Sequence, residues 1–177
     1  MHSYRFAGGA LVAAGLLNGC KTEQRPADTT ASSPQTVSVV AKDFGYDAPD
    51  TIPAGATTIV LRNGGKELHH AQLVKLEDGK TIADVAKVLK EHAPAPSWLK
   101  FVGGPNAVVP GKEVSATSVL EPGHYALMCF IFGPDGVPHA VKGMVRELHV
   151  TDAPATASKT LPAADVTVKL VDYGFEP

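Results

Sequence analysis

Short runs in which apolar and polar residues alternate follow one another through the middle of the chain. The runs cover residues 37–41, 57–61, 68–76, 113–120, 124–130 and 144–150. Turn signals separate them, among them Pro110-Gly111 and Pro122-Gly123. Several short strands with such turns between them predict an antiparallel β-sandwich or barrel.

One helix is predicted inside this β-rich pattern. Its apolar side chains, Ile82, Val85, Val88 and Leu89, lie on one helical stripe that extends to His92. The preceding residues 81–84 have the character of a capping box. The Pro- and Gly-containing stretch 93–109 follows and predicts a long loop, which either has a function or covers an open sheet edge.

The first twenty residues have the pattern of a secretory signal. A basic residue, Arg5, precedes an apolar run that ends at Leu17-Asn18-Gly19-Cys20, and the run is too short to span a bilayer as a folded helix. The last four residues resemble the bacterial lipobox. This resemblance implies that residues 1–19 are removed and that Cys20 is acylated. The alternative is a signal peptide without lipidation.

Composition narrows the possible partners and locations. The 177 residues have a formal net charge of −2, which argues against a nucleic-acid partner. Residues 20–36 are rich in Thr, Ser, Ala, Gln and Pro and predict a flexible tether. We therefore expect a lipid-anchored protein of the bacterial cell envelope, facing the periplasm or the outside, whose acyl chains supply the membrane contact.

The end of the chain echoes the start of the β-rich region. Residues 37–39 and 43–47 return 129 positions later as 166–168 and 172–176. Between the copies, residues 152–164 are rich in Ala, Pro and Thr and predict a linker. We therefore expect a domain at 37–151 and, unless the echo is a chance match, the start of a possible second, truncated repeat at 165–177.

The two cysteines have different predicted roles. If Cys20 is acylated, Cys129 has no partner in the chain for a disulfide. A lone thiol in an oxidising compartment is open to oxidation unless it is buried or bound. A metal ion would protect Cys129, because the ion binds the thiolate.

The residues around Cys129 supply the donors of a copper site. His69 and His70 lie at the start of a predicted strand, Cys129 ends another, and His139 and Met144 follow. Two imidazoles, a thiolate and a thioether form the donor set of a blue-copper site, in which a long axial Met tunes the reduction potential. The other histidines, His92, His124 and His149, fit no ligand spacing.

At these residues the chain resembles the cupredoxin family in its plastocyanin-like branch, over about residues 37–151. His139 to Met144 is similar to the His-x-x-x-Gly-Met segment of that branch, and residues 122–125 to its Pro-Gly-x-Tyr turn. Residues 63–69 resemble its Asn-containing approach to the first histidine. The resemblance implies an all-β, Greek-key cupredoxin-like β-sandwich with one inserted helix and one type 1 copper ion.

The resemblance also implies roles for the individual site residues. It favours His69 over His70 as the first ligand, together with Cys129, His139 and Met144. Neighbouring strand residues point to opposite faces, so His70 would hydrogen-bond the ligand loop or face solvent. The interval 130–138 between Cys129 and His139 is longer than the family usually has, but it contains a turn signal that could return His139 to the site.

The expected function is one-electron transfer to a redox partner protein. The resemblance implies that the electron passes through an edge of His139 within an apolar patch, for which the chain offers Phe130, Ile131, Phe132 and Val137. A copper carrier and a metal-free binding or structural module are the alternatives. We expect no enzyme. A cysteine nucleophile is disfavoured because His124 would face away from Cys129 and no acidic residue would orient it.

Overall fold

Two β-sheets form the body of the structure. A computed structural model describes residues 33–91, 93–154, 157–161 and 163–176, so the predicted signal segment, Cys20 and His92 lie outside the described residues. The elements in chain order are β1 (Gln35–Lys42), β2 (Gly45–Asp47), β3 (Thr51–Pro53), β4 (Gly55–Asn63), β5 (Gln72–Leu76), α1 (Ile82–Lys90), β6 (Leu99–Gly103), β7 (Glu113–Leu120), β8 (Gly123–Met128), β9 (Val145–Thr151), β10 (Lys169–Val171) and β11 (Gly174–Glu176).

The core lies between a four-stranded sheet, in the order β2-β1-β4-β7, and a five-stranded sheet, in the order β3-β9-β8-β5-β6. Side chains alternate along β1, where Val37, Val39 and Ala41 are buried. Leu61 of one sheet and Leu127 of the other are fully buried in the same cluster. Burial of each such side chain contributes about 1.5–3 kcal/mol. The predicted all-β sandwich with one inserted helix is confirmed.

Two strand pairs are parallel, whereas the pattern of short strands predicted an antiparallel sandwich or barrel. β1 runs parallel to β4, and β3 runs parallel to β9. The reason is the path of the chain. It leaves the first sheet after β2, enters the second at β3 and returns at β4, so β1 and β4 meet without a hairpin between them.

The helix α1 covers part of the outer face of the five-stranded sheet. Val85 is buried in one cluster with Val74, Ala126 and Met128 of that sheet. The predicted capping box is present, with the amide of Thr81 donating to the Asp84 carboxylate at 3.0 Å. In the described part of the chain, no helix has the length and apolar character needed to cross a membrane.

The stretch predicted as a loop after the helix contains a strand. β6 pairs antiparallel with β5 and forms an edge of the five-stranded sheet. Two glycines and one proline at 103–105 end the strand after five residues, so its pattern is too short to predict a strand. This stretch therefore extends the sheet instead of only covering its edge.

The C-terminal hairpin repeats the pairing of the first hairpin. Ala41 pairs with Tyr46 between β1 and β2, and Leu170 pairs with Phe175 between β10 and β11, again 129 residues later. Tyr46 is buried in the core, whereas Phe175 is exposed. The two copies of the repeated sequence therefore also share the same strand pairing. The proposed domain boundaries stay a prediction.

The backbone at Gly104 passes very close to the backbone of Ala71, which directly precedes β5. Its φ is +124°, and a Cβ there would lie 2.2 Å from the carbonyl oxygen of Ala71. We expect Gly104→Ala to lower the free energy of unfolding by about 3 kcal/mol or more, measured by urea denaturation. Gly111→Ala is the matched control, because Gly111 has φ +75° and nothing within 4 Å of its Cβ position. Equal losses in the two variants would contradict the close-approach explanation.

Candidate metal centre

Three predicted ligands, His69, Cys129 and His139, meet in the core of the sandwich. All three are fully buried. The Nδ1 atoms of the two histidines lie 3.1 Å apart, and Sγ of Cys129 lies 3.5 Å from Nδ1 of His139 and 4.0 Å from Nδ1 of His69. A point in the plane of these atoms lies about 2.1 Å from each, close to the ~2.0–2.3 Å of metal–nitrogen and metal–sulfur bonds. The cluster therefore fits a metal ion without rearrangement.

The connection between β8 and β9 supplies three of the four predicted residues. Cys129 follows β8 directly, and Met144 directly precedes β9. The amide of Cys129 donates to the carbonyl of Met144 at 3.2 Å. The amide of Met144 donates to the carbonyl of His139 at 2.9 Å. Met144 is fully buried in the same cluster as Cys129. The backbone of this loop therefore holds the three residues beside one another.

The long interval between Cys129 and His139 folds into a small excursion. Phe132 and Pro138 form an isolated β-bridge, and the amide of Gly133 donates to the carbonyl of Val137 at 3.0 Å. The amide of His139 then donates to the carbonyl of Ile131 at 2.9 Å. The extra residues leave and return at adjacent points, so His139 reaches the site despite the length of the interval.

The structure places His69 in the cluster and gives His70 a supporting contact. His70 Nε2 accepts the amide proton of Phe130 at 3.0 Å, next to Cys129. Burial, together with the charges of His139 and His69, holds the pKa of His70 below its ordinary value. A neutral ring can accept this hydrogen bond. His70 therefore makes the hydrogen bond to the ligand loop that was one of its two expected roles.

Asn63, at the end of β4, fixes the segment that carries His69. Its Nδ2 donates to the carbonyls of Glu67 and Val108 at 2.7 and 2.8 Å, and its Oδ1 accepts the amide of Gly65 at 2.9 Å. Val108 also exchanges backbone hydrogen bonds with His69. The fully buried Asn63 side chain therefore ties the ligand segment to the neighbouring loop.

Two carboxylates that the sequence did not single out contact the histidines from outside. Asp43 Oδ1 lies 2.7 Å from Nε2 of His69, and Glu67 Oε2 lies 2.9 Å from Nε2 of His139. Burial alone would raise the pKa of Asp43, but hydrogen bonds from His69 and from two backbone amides outweigh it and lower the pKa. The sequence did give a signal for each position, because Asp43 belongs to the motif that recurs at the C-terminus and Glu67 lies in the segment 63–69 that approaches His69.

The expected exposed edge of His139 is not found, because other side chains cover the ring. Glu67 caps Nε2, and the ring of Phe44 packs against the imidazole with centroids 5.0 Å apart. In the predicted apolar patch, Phe132 is exposed, while the other three residues are half-buried. An electron that passes through His139 would have to cross this cover.

The surroundings of the Cys129 thiol determine its protonation state in the metal-free protein. Burial raises the pKa of its thiol above the ordinary value, so the metal-free thiol is protonated at neutral pH and a bound ion has to displace the proton. His124 and His149 form a cross-strand pair between β8 and β9 and are not part of the cluster.

No protein-family model matches the sequence, and a search of curated proteins gives no significant match. Solved structures similar to the described fold include the following three. These neighbours are auracyanins. The reduced auracyanin of the photosynthetic bacterium Roseiflexus castenholzii is 22% identical, with a TM-score of 0.46, and the match covers 70% of this chain and 100% of that one. Auracyanin B is 22% identical, with a TM-score of 0.47 and coverage of 68% and 91%. Auracyanin A, described as a "blue" copper protein from the green thermophilic photosynthetic bacterium Chloroflexus aurantiacus, is 21% identical, with a TM-score of 0.45 and coverage of 67% and 100%.

Proposed function

We propose that the chain is a cupredoxin-like copper protein that transfers single electrons. The observation that carries this proposal is the convergence of His69 Nδ1, His139 Nδ1 and Cys129 Sγ within 4.8 Å of one another. Two imidazoles and a thiolate are the strong donors of blue-copper sites, and the buried thioether of Met144 would supply a weak fourth donor. Copper in such a set would supply reversible one-electron chemistry.

The arrangement of donors favours electron transfer over catalysis. With three strong donors and Met144 as the fourth, the set would leave no open coordination position for a substrate, and all four side chains are buried. The protein keeps the ligand loops fixed through the hydrogen bonds of Asn63 and His70, so a change of charge requires little movement. A redox partner protein would receive the electron.

The metal-free alternative agrees less well with the geometry. A binding or structural module has no need for three ligand atoms that face one another across 3.1–4.0 Å in the core. Buried polar side chains are costly unless they are paired or coordinate an ion. Two histidines and a thiol in the core are therefore better explained by a bound metal ion.

The test is metal analysis with an optical spectrum of the wild-type chain after addition of Cu(II). We expect one copper ion per chain and intense visible absorption from the thiolate–Cu(II) interaction, which disappears on reduction and returns on oxidation. A colourless chain that retains copper only in its reduced form would overturn electron transfer in favour of a copper carrier. A chain that retains no copper in either state would overturn the copper site itself.

We also propose that Cys20 is acylated and attaches the protein to the membrane. The support is the lipobox-like sequence at the end of the apolar run. We expect Cys20→Ser to move the protein from the detergent-rich to the aqueous phase on partition of bacterial extracts, with its copper absorption unchanged. Cys129→Ser is the matched control and should stay in the detergent-rich phase. Equal partition of wild type and Cys20→Ser would contradict lipidation.

A further inference from the structure

The two ligand histidines share an arrangement in which each ring lies between the metal position and a carboxylate. Nδ1 of both rings faces the centre, and Nε2 of each faces Asp43 or Glu67 at 2.7 and 2.9 Å. The histidine side chains are 0% exposed and the two carboxylate side chains 25% and 28%. Both carboxylates therefore lie at the rim of the site, where solvent screens them only in part.

We propose that Asp43 and Glu67 are positioning residues that hold His69 and His139 as Nδ1 ligands and bias the bound copper toward Cu(II). The part that concerns copper rests on the proposed function. An ionised carboxylate only accepts hydrogen bonds, so each Nε2 must carry a proton. The lone pair of a neutral ring is then on Nδ1, which faces the centre, and the carboxylate increases the basicity of that nitrogen.

The local backbone favours these contacts. The amide of Lys66 donates to both oxygens of Asp43, at 2.9 and 3.1 Å. At Gly65 a Cβ would lie 2.4 Å from Asp43 Oδ1 and 2.8 Å from His69 Nε2, so the glycine leaves the room that the pair occupies. Asp43 is thus fixed at His69 by the chain and is not a freely rotating surface acid.

The charges at the rim explain the bias toward the oxidised ion. Cu(II) carries one more positive charge than Cu(I), and two anions that are each one imidazole ring away stabilise this additional charge. Within the described residues, the ion-pair contacts of Asp43 and Glu67 are with the two histidines. The nearby cation of Lys142 is paired with Asp135 at 2.8 Å. In the described part of the chain, no lysine or arginine nitrogen lies within 4.0 Å of either carboxylate.

The experiment compares wild type with Asp43→Asn, Glu67→Gln and the double variant, each as the full chain. In the copper-loaded proteins, we expect the ratio of Cu(II) to Cu(I) affinity to fall about tenfold or more in the double variant. The reduction potential then rises by about 59 mV for each factor of ten. Asp47→Asn is the matched control, because Asp47 lies on the same hairpin but pairs with Lys42 at the surface.

A second readout needs no copper. Nitrogen-15 NMR spectra of the metal-free wild type should show a proton on Nε2 of both rings, and this preference should weaken at His69 in Asp43→Asn and at His139 in Glu67→Gln. Wild-type rings protonated only on Nδ1 would overturn the positioning role. A potential of the double variant equal to that of Asp47→Asn would overturn the bias toward Cu(II). Failure of the wild type to bind copper would overturn the proposed function and the bias together, while the NMR result would still decide the positioning role.

Discussion

Cys129→Ser is expected to abolish the visible copper absorption and to weaken Cu(II) binding roughly 100-fold or more, because a hydroxyl replaces the thiolate donor. In the described part of the chain, Cys129 is the only cysteine. Serine has nearly the same volume as cysteine, so the metal-free sandwich should lose only about 1–2 kcal/mol from the buried hydroxyl. Optical titration and copper competition measure the first effect, and urea denaturation measures the second.

Cys20→Ser serves as the control for this result, since it removes a thiol outside the described residues and should leave the absorption intact. A Cys129→Ser protein that keeps its full absorption would contradict the assignment of the thiolate. Loss of absorption supports the assignment only if the Cys129→Ser protein is folded. The denaturation curve of the metal-free variant shows whether it is folded.

Asn63→Ala is expected to lower the free energy of unfolding by about 3 kcal/mol and to weaken copper binding. The fully buried side chain makes three hydrogen bonds, and its removal leaves the carbonyls of Glu67 and Val108 without that donor. Each buried polar group without a partner costs about 1–3 kcal/mol. The copper affinity should fall because the segment that carries His69 is no longer tied to Val108.

Urea denaturation and copper competition measure the two effects of Asn63→Ala. Asn106→Ala is the control, because the exposed Asn106 side chain accepts only from the adjacent amide of Ala107. We expect this control to change stability by less than about 0.5 kcal/mol. A loss below about 1 kcal/mol in Asn63→Ala would show that the segment is held by other contacts.

The local pattern of apolar and polar residues was sufficient to predict most of the strands and the helix. The alternation at 37–41 predicted β1, and the apolar stripe with its capping residues predicted α1 to within two residues at its C-terminus. The pattern did not predict β6, because this strand has only five residues, is followed by Gly104 and Pro105, and is stabilised by pairing with β5. It also failed to give the direction of β1 relative to β4, since direction depends on where the chain crosses between the sheets.

For the metal ligands too, the sequence predicted part of the arrangement and folding decided the rest. Residue types and order predicted Cys129, His139 and one of the pair His69 and His70, because the chemistry of copper prefers thiolate and imidazole, and the family resemblance favoured His69. The sequence could not determine whether the interval before His139 would bring that ring back. Hydrogen bonds at both ends of the excursion decided this, and they form only when the loop is folded.

By itself, therefore, the sequence determined the β-sandwich, while the set of donors and the membrane address are its predictions. Only the tertiary structure showed that Asp43 and Glu67 cap the histidines and that His139 is buried. The physical reason is distance along the chain. Asp43 precedes His69 by 26 residues, and Glu67 precedes His139 by 72. Contacts between such remote segments depend on the packing of the two sheets, which no local periodicity encodes.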